Sequence, residues 1–483
     1  MKQYETTIGL EVHIELKTKS KIFCGCSTAF GAKPNRNVCP VCLGLPGALP
    51  VLNRQVVEYA VAIGLALNCT IAEECYFDRK NYFYPDNPQN YQISQLYVPV
   101  ATAGKVKIET KTGEKEIRIH EMHMEEDAGK LIHEKETGMT RIDYNRSGVP
   151  LVEIVTEPDF TSGEEVVAFL EKLRLMVQYL GASDCRMQEG SLRVDVNLSV
   201  KPKGEKKPGT RTEMKNLNSF RSVLLAIAEE EKRQIAVLSD GGSVLQETRR
   251  WDEDKCMSFS MRPKETTAEY RYFPDPDLLP VRIGKEWLEQ IRKNRPEFRE
   301  EKIERYQKEF GIPKYDAEIL TSSVQMAEVF EQTVFLGAEP KEVSNWLMTE
   351  TMRLLRENAQ DGENLTLCAK DLANLIEMIK AGRINRTVAK EVFEKMFLNG
   401  TEPVAYVTEQ GLFMEENEEL LLETVLHVMK EFPKSVEDYH AGKEKAIGFL
   451  VGQTMKALGG KANPGTVTGL LRKCLQIDAQ TKA

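Results

Sequence analysis

The sequence predicts an α+β fold: a mainly antiparallel sheet first, then an all-α region, then a small all-α tail. Three observations predict it. Residues 8–16 and 192–200 alternate apolar and polar side chains without a break, as half-buried strands do. Several strand-like stretches mix acids with Arg or Lys on one face, which suggests a single antiparallel sheet with a charged side. From Trp287 the texture becomes charged and helically periodic, pausing at Pro313 and resuming through Met396. At 483 residues the chain is too long for one ordinary core. The expected division is 1–285, 286–405 and 406–483.

The first strand organises the rest. Ile8, Leu10, Val12, Ile14 and Leu16 share one face, and Glu11, His13 and Glu15 share the other. Successive same-face residues lie roughly 7 Å apart. A carboxylate, an imidazole and a carboxylate in a row suit divalent-metal ligation.

Six of the ten cysteines are scattered. Cys24, Cys26, Cys39 and Cys42 instead form C-x-C-x12-C-x2-C among turn-forming Gly and Pro residues. Two close pairs across a short loop match a four-thiolate Zn²⁺ site, whose closed coordination makes it a structural knuckle at about residues 24–42. Arg54 to Leu67 carries apolar residues at helical spacing and Asn68 to end the helix. The aromatic, proline-broken stretch 77–95 reads either as the lining of a ligand cleft or base-stacking surface, or as a self-packed Ω-loop.

Three further stretches repeat the polar-faced pattern. Glu125, Glu126 and Asp127 end an apparent strand, and a single bulge would decide which of them points inward. Glu153 lies on the strand after a Ser147-Gly-Val-Pro turn. Arg193, Asp195, Asn197 and Ser199 alternate against Val194, Val196, Leu198 and Val200, and beyond a basic hinge Arg211, Glu213 and Lys215 share a face. Acids of this kind hold Mg²⁺ while Arg and Lys hold phosphates.

Neither a G-x4-G-K-[ST] loop nor a G-x-G-x-x-G fingerprint occurs, so a nucleotide would be held by metal and side chains. An H-E-x-x-H zinc-hydrolase signature is also absent. The net charge of −9 argues against a generally DNA-coating protein. From 443 onward, however, seven Lys and Arg face only Glu444 and Asp478, which reads either as a local nucleic-acid footprint or as a plain solvated face. No apolar run is long enough for a bilayer and the N-terminus carries no signal-peptide pattern, so the expectation is a cytoplasmic protein without a membrane partner.

With these residues in view the chain resembles the GatB/GatE family, the B-type subunits of aspartyl/glutamyl-tRNA amidotransferases. The resemblance rests on GLEVHIEL at 9–16, FDRKNYFYPD at 77–86, HMEEDAG at 123–129, VEIVTEPD at 152–159, EGSLR at 189–193, EMKNLNSF at 213–220, YRYFPD at 270–275 and GFLVGQ at 448–453. Leu278 to Ile283 runs straight into Trp287 and the helices, without the extra domain of the archaeal E-type subunits.

The resemblance implies a glutamine-synthetase-like cradle over 1–285, with the zinc knuckle inserted, then a helical domain and a tRNA-gripping tail. It implies ATP-dependent phosphorylation of the side-chain carboxylate of Glu-tRNA(Gln) or Asp-tRNA(Asn). Ammonia from an A-type glutaminase partner, GatA, braced by a small C-type partner, GatC, then displaces the phosphate. By position in the family motifs, His13, Glu126 and Glu153 are the Mg²⁺ triad, with Asp195 a further ligand. Glu11 and Glu125 are second-metal or proton-accepting candidates, and Arg193 and Lys215 face phosphate oxygens. Lys456, Lys461, Arg472 and Lys473 are the candidate tRNA contacts. Two rival readings stay open from the residues alone: an ATP-dependent carboxylate–amine ligase acting on a small molecule, and a non-enzymatic RNA-binding subunit.

Overall fold

The computed structural model of the chain describes residues 4–482 except 112, 135, 264–266, 361, 415–417, 460 and 461. It comprises two compact units, Met1–Phe298 and Arg299–Ala483.

The first unit is built on one sheet. Among the described residues its strands are β1 (Tyr4–Glu15), β2 (Thr70–Ile71), β3 (Ala101–Thr110), β4 (Gly113–Glu126), β5 (Pro150–Thr156), β6 (Leu192–Pro202), β7 (Thr212–Lys215), β8 (Glu247–Asp252) and β9 (Met257–Pro263). Their order is β9-β8-β7-β6-β1-β5-β4-β3-β2, so the first strand lies at the centre. Only β7 and β8 run parallel; the other neighbours are antiparallel, as expected from the alternating patterns.

Ile8, Leu10, Val12 and Ile14 of β1 and Val194, Val196, Leu198 and Val200 of β6 form the apolar face, each at most 2% exposed. Three helices contribute to the same core: α1 (Arg54–Ala66) through Val56 and Ala60, α2 (Gly163–Tyr179) through Val166 and Phe169, and α3 (Phe220–Ser239) through Val223 and Ile227. Their starts are written in the sequence. The side chains of Asn53, Ser162 and Ser219 accept hydrogen bonds from the backbone N–H groups of Gln55, Glu165 and Ser222. Asn68 ends α1 in the left-handed region at φ 54°. Each fully buried Val, Leu or Ile contributes about 1.5–3 kcal/mol, and a one-residue slip would turn the whole set outward. Burial of one face therefore holds the register that composes the other.

The first unit continues past residue 285. Helix α4 (Lys285–Lys293) sets Trp287, Leu288 and Ile291 against the sheet core, with Phe298 beyond it. Trp287 Nε1 donates to Glu58 Oε1 at 3.2 Å, and the Arg54 guanidinium lies 5.0 Å over the indole. These contacts tie the segment to α1, whereas sequence texture alone places a boundary in front of it.

The second unit is helical and holds two cores. One runs from Ile303 to Val407 and includes the Tyr306–Phe330 and Trp346–Phe393 ring pairs. The other joins Leu421, Val425, Leu450, Val467 and Leu471. Among the described residues the latter comes from four helices, Glu418–Glu431, Pro433–His440, Lys445–Ala457 and Pro464–Lys482.

Candidate active site and metal centres

The polar face of the sheet assembles from cross-strand register. His13 on β1 sits opposite Glu153 on β5 and Arg193 on β6, and Glu153 sits opposite His123 on β4. Directly opposed residues point the same way. His13 Nε2 consequently lies 3.3 Å from Glu153 Oε2 and 3.7 Å from Glu125 Oε1. One ligand atom each from His13, Glu125 and Glu153 falls within 4.8 Å of the others. His123, only 7% exposed, puts Nε2 3.2 Å from the same Glu153 oxygen and Nδ1 3.5 Å from Glu121 Oε1.

Electrostatics follow the geometry. Burial pulls the His13 and His123 imidazoles down, but the Glu153 carboxylate wins: His13 is raised above its ordinary value and His123 is pushed up to about 10. Burial opposes ionisation of Glu153 as well, yet the two imidazoles hold it well below the carboxylate range. Glu125, Glu153 and the His13 imidazole form a nitrogen and oxygen donor set that fits a divalent cation with the imidazole neutral.

Glu126 is not part of this group. The register shift in the β4–β5 pairing falls at His120, between Ile119 and Glu121, so residues 121 to 126 alternate without interruption. Glu121, His123 and Glu125 share the polar face and Glu126 turns to the other. Its Oε1 accepts from Gln89 Nε2 at 2.9 Å and from the Ile93 N–H at 3.0 Å. The ligand atoms that converge are therefore those of His13, Glu125 and Glu153, whereas the expected triad was His13, Glu126 and Glu153. His123 was missed, although its two-residue spacing from Glu125 was a readable signal once the strand's parity was known.

A second acidic group adjoins the first along β1. Glu11 pairs in register with Asp195, and Asn197 with Glu213, bringing the carboxylates of Glu11, Asp195 and Glu213 within 4.8 Å of one another. Lys215 Nζ meets Asp195 Oδ2 at 2.5 Å and Glu213 Oε1 at 3.5 Å. Burial opposes its charge, but those two acids raise it above the ordinary lysine value. Asn197 Nδ2 donates to Glu11 Oε1 at 2.9 Å, and Thr248 Oγ1 to Glu213 Oε2 at 2.8 Å.

Arg193 is held on its own side by Asp127, whose Oδ2 accepts from Arg193 Nη2 at 2.8 Å and faces Arg146 Nε at 3.4 Å. Burial opposes the Asp127 charge, and the two guanidiniums nevertheless keep it below the usual range. Glu15, beside Asp127, is pushed up to about 8 by burial and by that neighbouring acid. The arrangement leaves Arg193 fixed in direction beside His13, a clamp suited to an anionic substrate group.

The knuckle cysteines converge as the spacing predicted. Sulfurs of Cys24, Cys26, Cys39 and Cys42 all lie within 4.8 Å of one another, and Cys39 and Cys42 are 3.9 Å apart. Tetrahedral Zn–S bonds require sulfurs about 3.8 Å apart, so the four thiolates fit the ion. A hydrogen bond from Cys24, together with Lys21, lowers the Cys42 thiol to about 4 against the effect of burial. Cys24 is raised in return, chiefly by that bond with Cys42.

The aromatic stretch folds as a short hairpin, Asp78–Asn81 against Tyr91–Ser94, joined by Phe273–Pro274. Arg79 pins it, stacking 4.2 Å over Tyr91 and pairing with Asp275 at 2.8 Å and Asp277 at 2.7 Å. In the tail Lys456, Arg472 and Lys473 are exposed, whereas Lys461 lies outside the described residues. No described helix is long and apolar enough to cross a membrane.

Comparison with known proteins gives consistent matches over nearly the whole chain. The GatB/GatE catalytic domain matches residues 6–289, and the GatB domain matches residues 328–475. The aspartyl/glutamyl-tRNA(Asn/Gln) amidotransferase B subunit of Lachnoclostridium phytofermentans is 58% identical over 475 residues, covering 98% of this chain and 99% of that protein. The corresponding protein of Agathobacter rectalis is 59% identical over 475 residues, covering 98% and 100%. That of Caldicellulosiruptor saccharolyticus is 54% identical over 477 residues, covering 98% and 99%.

Proposed function

The chain belongs to the GatB/GatE family, and from that premise we propose that it is the B-type component of a tRNA-dependent amidotransferase and carries the site where the charged tRNA is activated and amidated. It is an enzyme subunit of protein biosynthesis. Its substrates are glutamate on tRNA(Gln), aspartate on tRNA(Asn), or both. ATP phosphorylates the side-chain carboxylate, and ammonia displaces the phosphate to leave the amide. The reaction is that of a ligase forming a carbon–nitrogen bond with glutamine as amido donor. An A-type glutaminase partner supplies the ammonia and a small C-type partner completes the heterotrimer in the cytoplasm.

The observation that carries this reading is the pairing of two acid clusters with two fixed cations on one sheet face: His13–Glu125–Glu153 and Glu11–Asp195–Glu213, beside Arg193 and Lys215. A carboxylate attacking a phosphate is an anion meeting an anion. Magnesium bound by these acids would offset the phosphate charge. Arg193, aimed by Asp127, and Lys215, aimed by Asp195, orient phosphate oxygens. His123 steadies the Glu153 carboxylate. The proton that the attacking ammonia gives up passes to one of the two carboxylate candidates, Glu11 or Glu125. The first unit is the cradle, the segment through Val407 the helical domain, and the four-helix tail the tRNA grip through Lys456, Lys461, Arg472 and Lys473. Zinc in the knuckle is structural.

The test is ADP formation by the chain co-purified with its partner subunits, supplied with Mg²⁺, ATP and ammonium. ADP and glutaminyl-tRNA are expected only when glutamyl-tRNA(Gln) is present. ADP formed equally without tRNA would overturn the tRNA-dependent reading in favour of a small-molecule ligase.

A further inference from the structure

Lys21 is fully buried, yet its ammonium reaches two structures that the chain keeps far apart in sequence. Nζ donates to Cys42 Sγ at 3.4 Å and to the Tyr144 carbonyl at 3.2 Å. A four-thiolate zinc centre carries a net charge of about −2, and a buried cation beside it offsets part of that charge. The same cation grips the turn that leads into β5.

That turn is bound to the knuckle at every step. Ser147 Oγ donates to the Cys42 carbonyl at 3.1 Å, and the Ile22 N–H to the Gly148 carbonyl at 3.0 Å. The Asn37 N–H donates to Asn145 Oδ1 at 2.8 Å, and the Tyr144 N–H to Asn35 Oδ1 at 2.8 Å. Gly148 adopts φ 82°, and a Cβ there would touch Cys42 and Lys21 at 3.5 Å, so the approach is close.

On its other side the turn is bound to the end of β4. The Gly148 N–H donates to the Asp127 carbonyl and the Asp127 N–H to the Val149 carbonyl, both at 2.9 Å. Arg146 donates to the carbonyls of Ala128 and Gly129 at 3.0 and 2.9 Å, and its Nε faces Asp127 Oδ2 at 3.4 Å. Asp127 in turn aims Arg193. A continuous path of polar contacts, buried at Lys21, Cys42 and Ser147 and part-buried along Tyr144 and Arg146, therefore runs from the knuckle thiolates through Lys21 and the 144–148 turn to the strand end that carries Glu125.

We propose that Lys21 is a positioning residue: it fastens the zinc knuckle to the 144–148 turn, and through it the knuckle sets the placement of Glu125 and Arg193 in the divalent-metal site. The knuckle is then part of the support of the active site and not only a staple for its own loop. The inference rests on the metal-site reading given above.

The experiment uses the full chain with its partner subunits and compares wild type, Lys21→Arg, Lys21→Met and Ser147→Ala. Zinc release to a chelator and Mn²⁺ binding followed by electron paramagnetic resonance are measured on each. Lys21→Met is expected to release zinc faster and to bind Mn²⁺ about tenfold more weakly, the range found for groups that orient metal ligands. Lys21→Arg should recover part of both, and Ser147→Ala should weaken Mn²⁺ binding with zinc still held. Should Lys21→Met not fold, Ser147→Ala and Lys21→Arg carry the same comparison. Wild-type Mn²⁺ affinity in both Lys21→Met and Ser147→Ala would overturn the proposal while leaving the metal-site reading intact. Failure of the wild type itself to bind Mn²⁺ would overturn both.

Discussion

Glu125 and Glu126 are neighbours in the chain and point to opposite faces of one strand. Glu125 Oε1 lies 3.7 Å from His13 Nε2, whereas Glu126 Oε1 accepts the N–H groups of Gln89 and Ile93. One residue of parity decides which acid belongs to the proposed chemistry.

His123 offers the first prediction. Its Nε2 and that of His13 approach the same Glu153 oxygen, at 3.2 and 3.3 Å, so His123 helps hold the carboxylate in place. His123→Gln should weaken Mn²⁺ or Mg²⁺ binding about 10- to 100-fold, measured by metal titration. Unchanged affinity would mean that Glu153 needs no such support.

Much of this site was readable in the sequence. The alternation in β1 placed Glu11 and His13 on one face, and that in β6 placed Arg193, Asp195 and Asn197, because burying the apolar partners leaves only one register. The knuckle spacing likewise foretold its four converging sulfurs. Other features depended on contacts that no local pattern carries. The shift at His120 set the parity of Glu125, and strand order, not spacing, brought Glu213 to Glu11. Lys21 reads as an ordinary surface lysine until the 144–148 turn folds over it. The domain edge was blurred for the same reason, since Trp287 looks like the start of a helical region until Arg54 and Glu58 are seen beneath it.

Glu230 on α3 is fully buried among cations. It accepts from Thr212 Oγ1 at 2.8 Å, from Arg233 twice at 2.7 Å, and faces Arg249 at 3.4 Å. Glu230→Ala leaves Arg249 with Glu247, removes the Arg233 pair and takes an acceptor from Thr212 Oγ1, and should cost about 1–3 kcal/mol, read from urea unfolding. A loss below about 1 kcal/mol would contradict that reading.

Glu331 gives a pH prediction for the second unit. Burial opposes its charge, but hydrogen bonds from Lys302 and Tyr306, with Arg305 alongside, hold its carboxyl below the ordinary value of 4.5. A depressed folded-state value means stability that is fully present above about 4.5 and lost as pH falls through the lowered value. Wild type should therefore exceed Glu331→Gln in urea midpoint near neutrality and lose that advantage in acid. A difference that grew on acidification would contradict the sign.

Arg472 and Lys473 lie exposed on the last helix, in the segment proposed to hold tRNA. Replacing both with Gln should weaken tRNA binding and flatten the log–log dependence of affinity on salt by about 1 to 2. An unchanged slope would place the phosphate contacts elsewhere.

His13, Glu125 and Glu153 are proposed to hold the divalent metal that charged-tRNA activation requires. The most direct measurement is tRNA-dependent ADP formation, with Mn²⁺ binding alongside, for Glu125→Gln against Glu126→Gln. Both swaps spare shape, but only Glu125→Gln removes a carboxylate from the group around His13; burial already pushes the Glu126 carboxyl up to about 8, and a Gln carbonyl at 126 still accepts the Ile93 N–H. Glu125→Gln is expected to lose Mn²⁺ binding and at least about a hundredfold in ADP formation, while Glu126→Gln stays within about tenfold of wild type. Loss in Glu126→Gln with Glu125→Gln unaffected would contradict it.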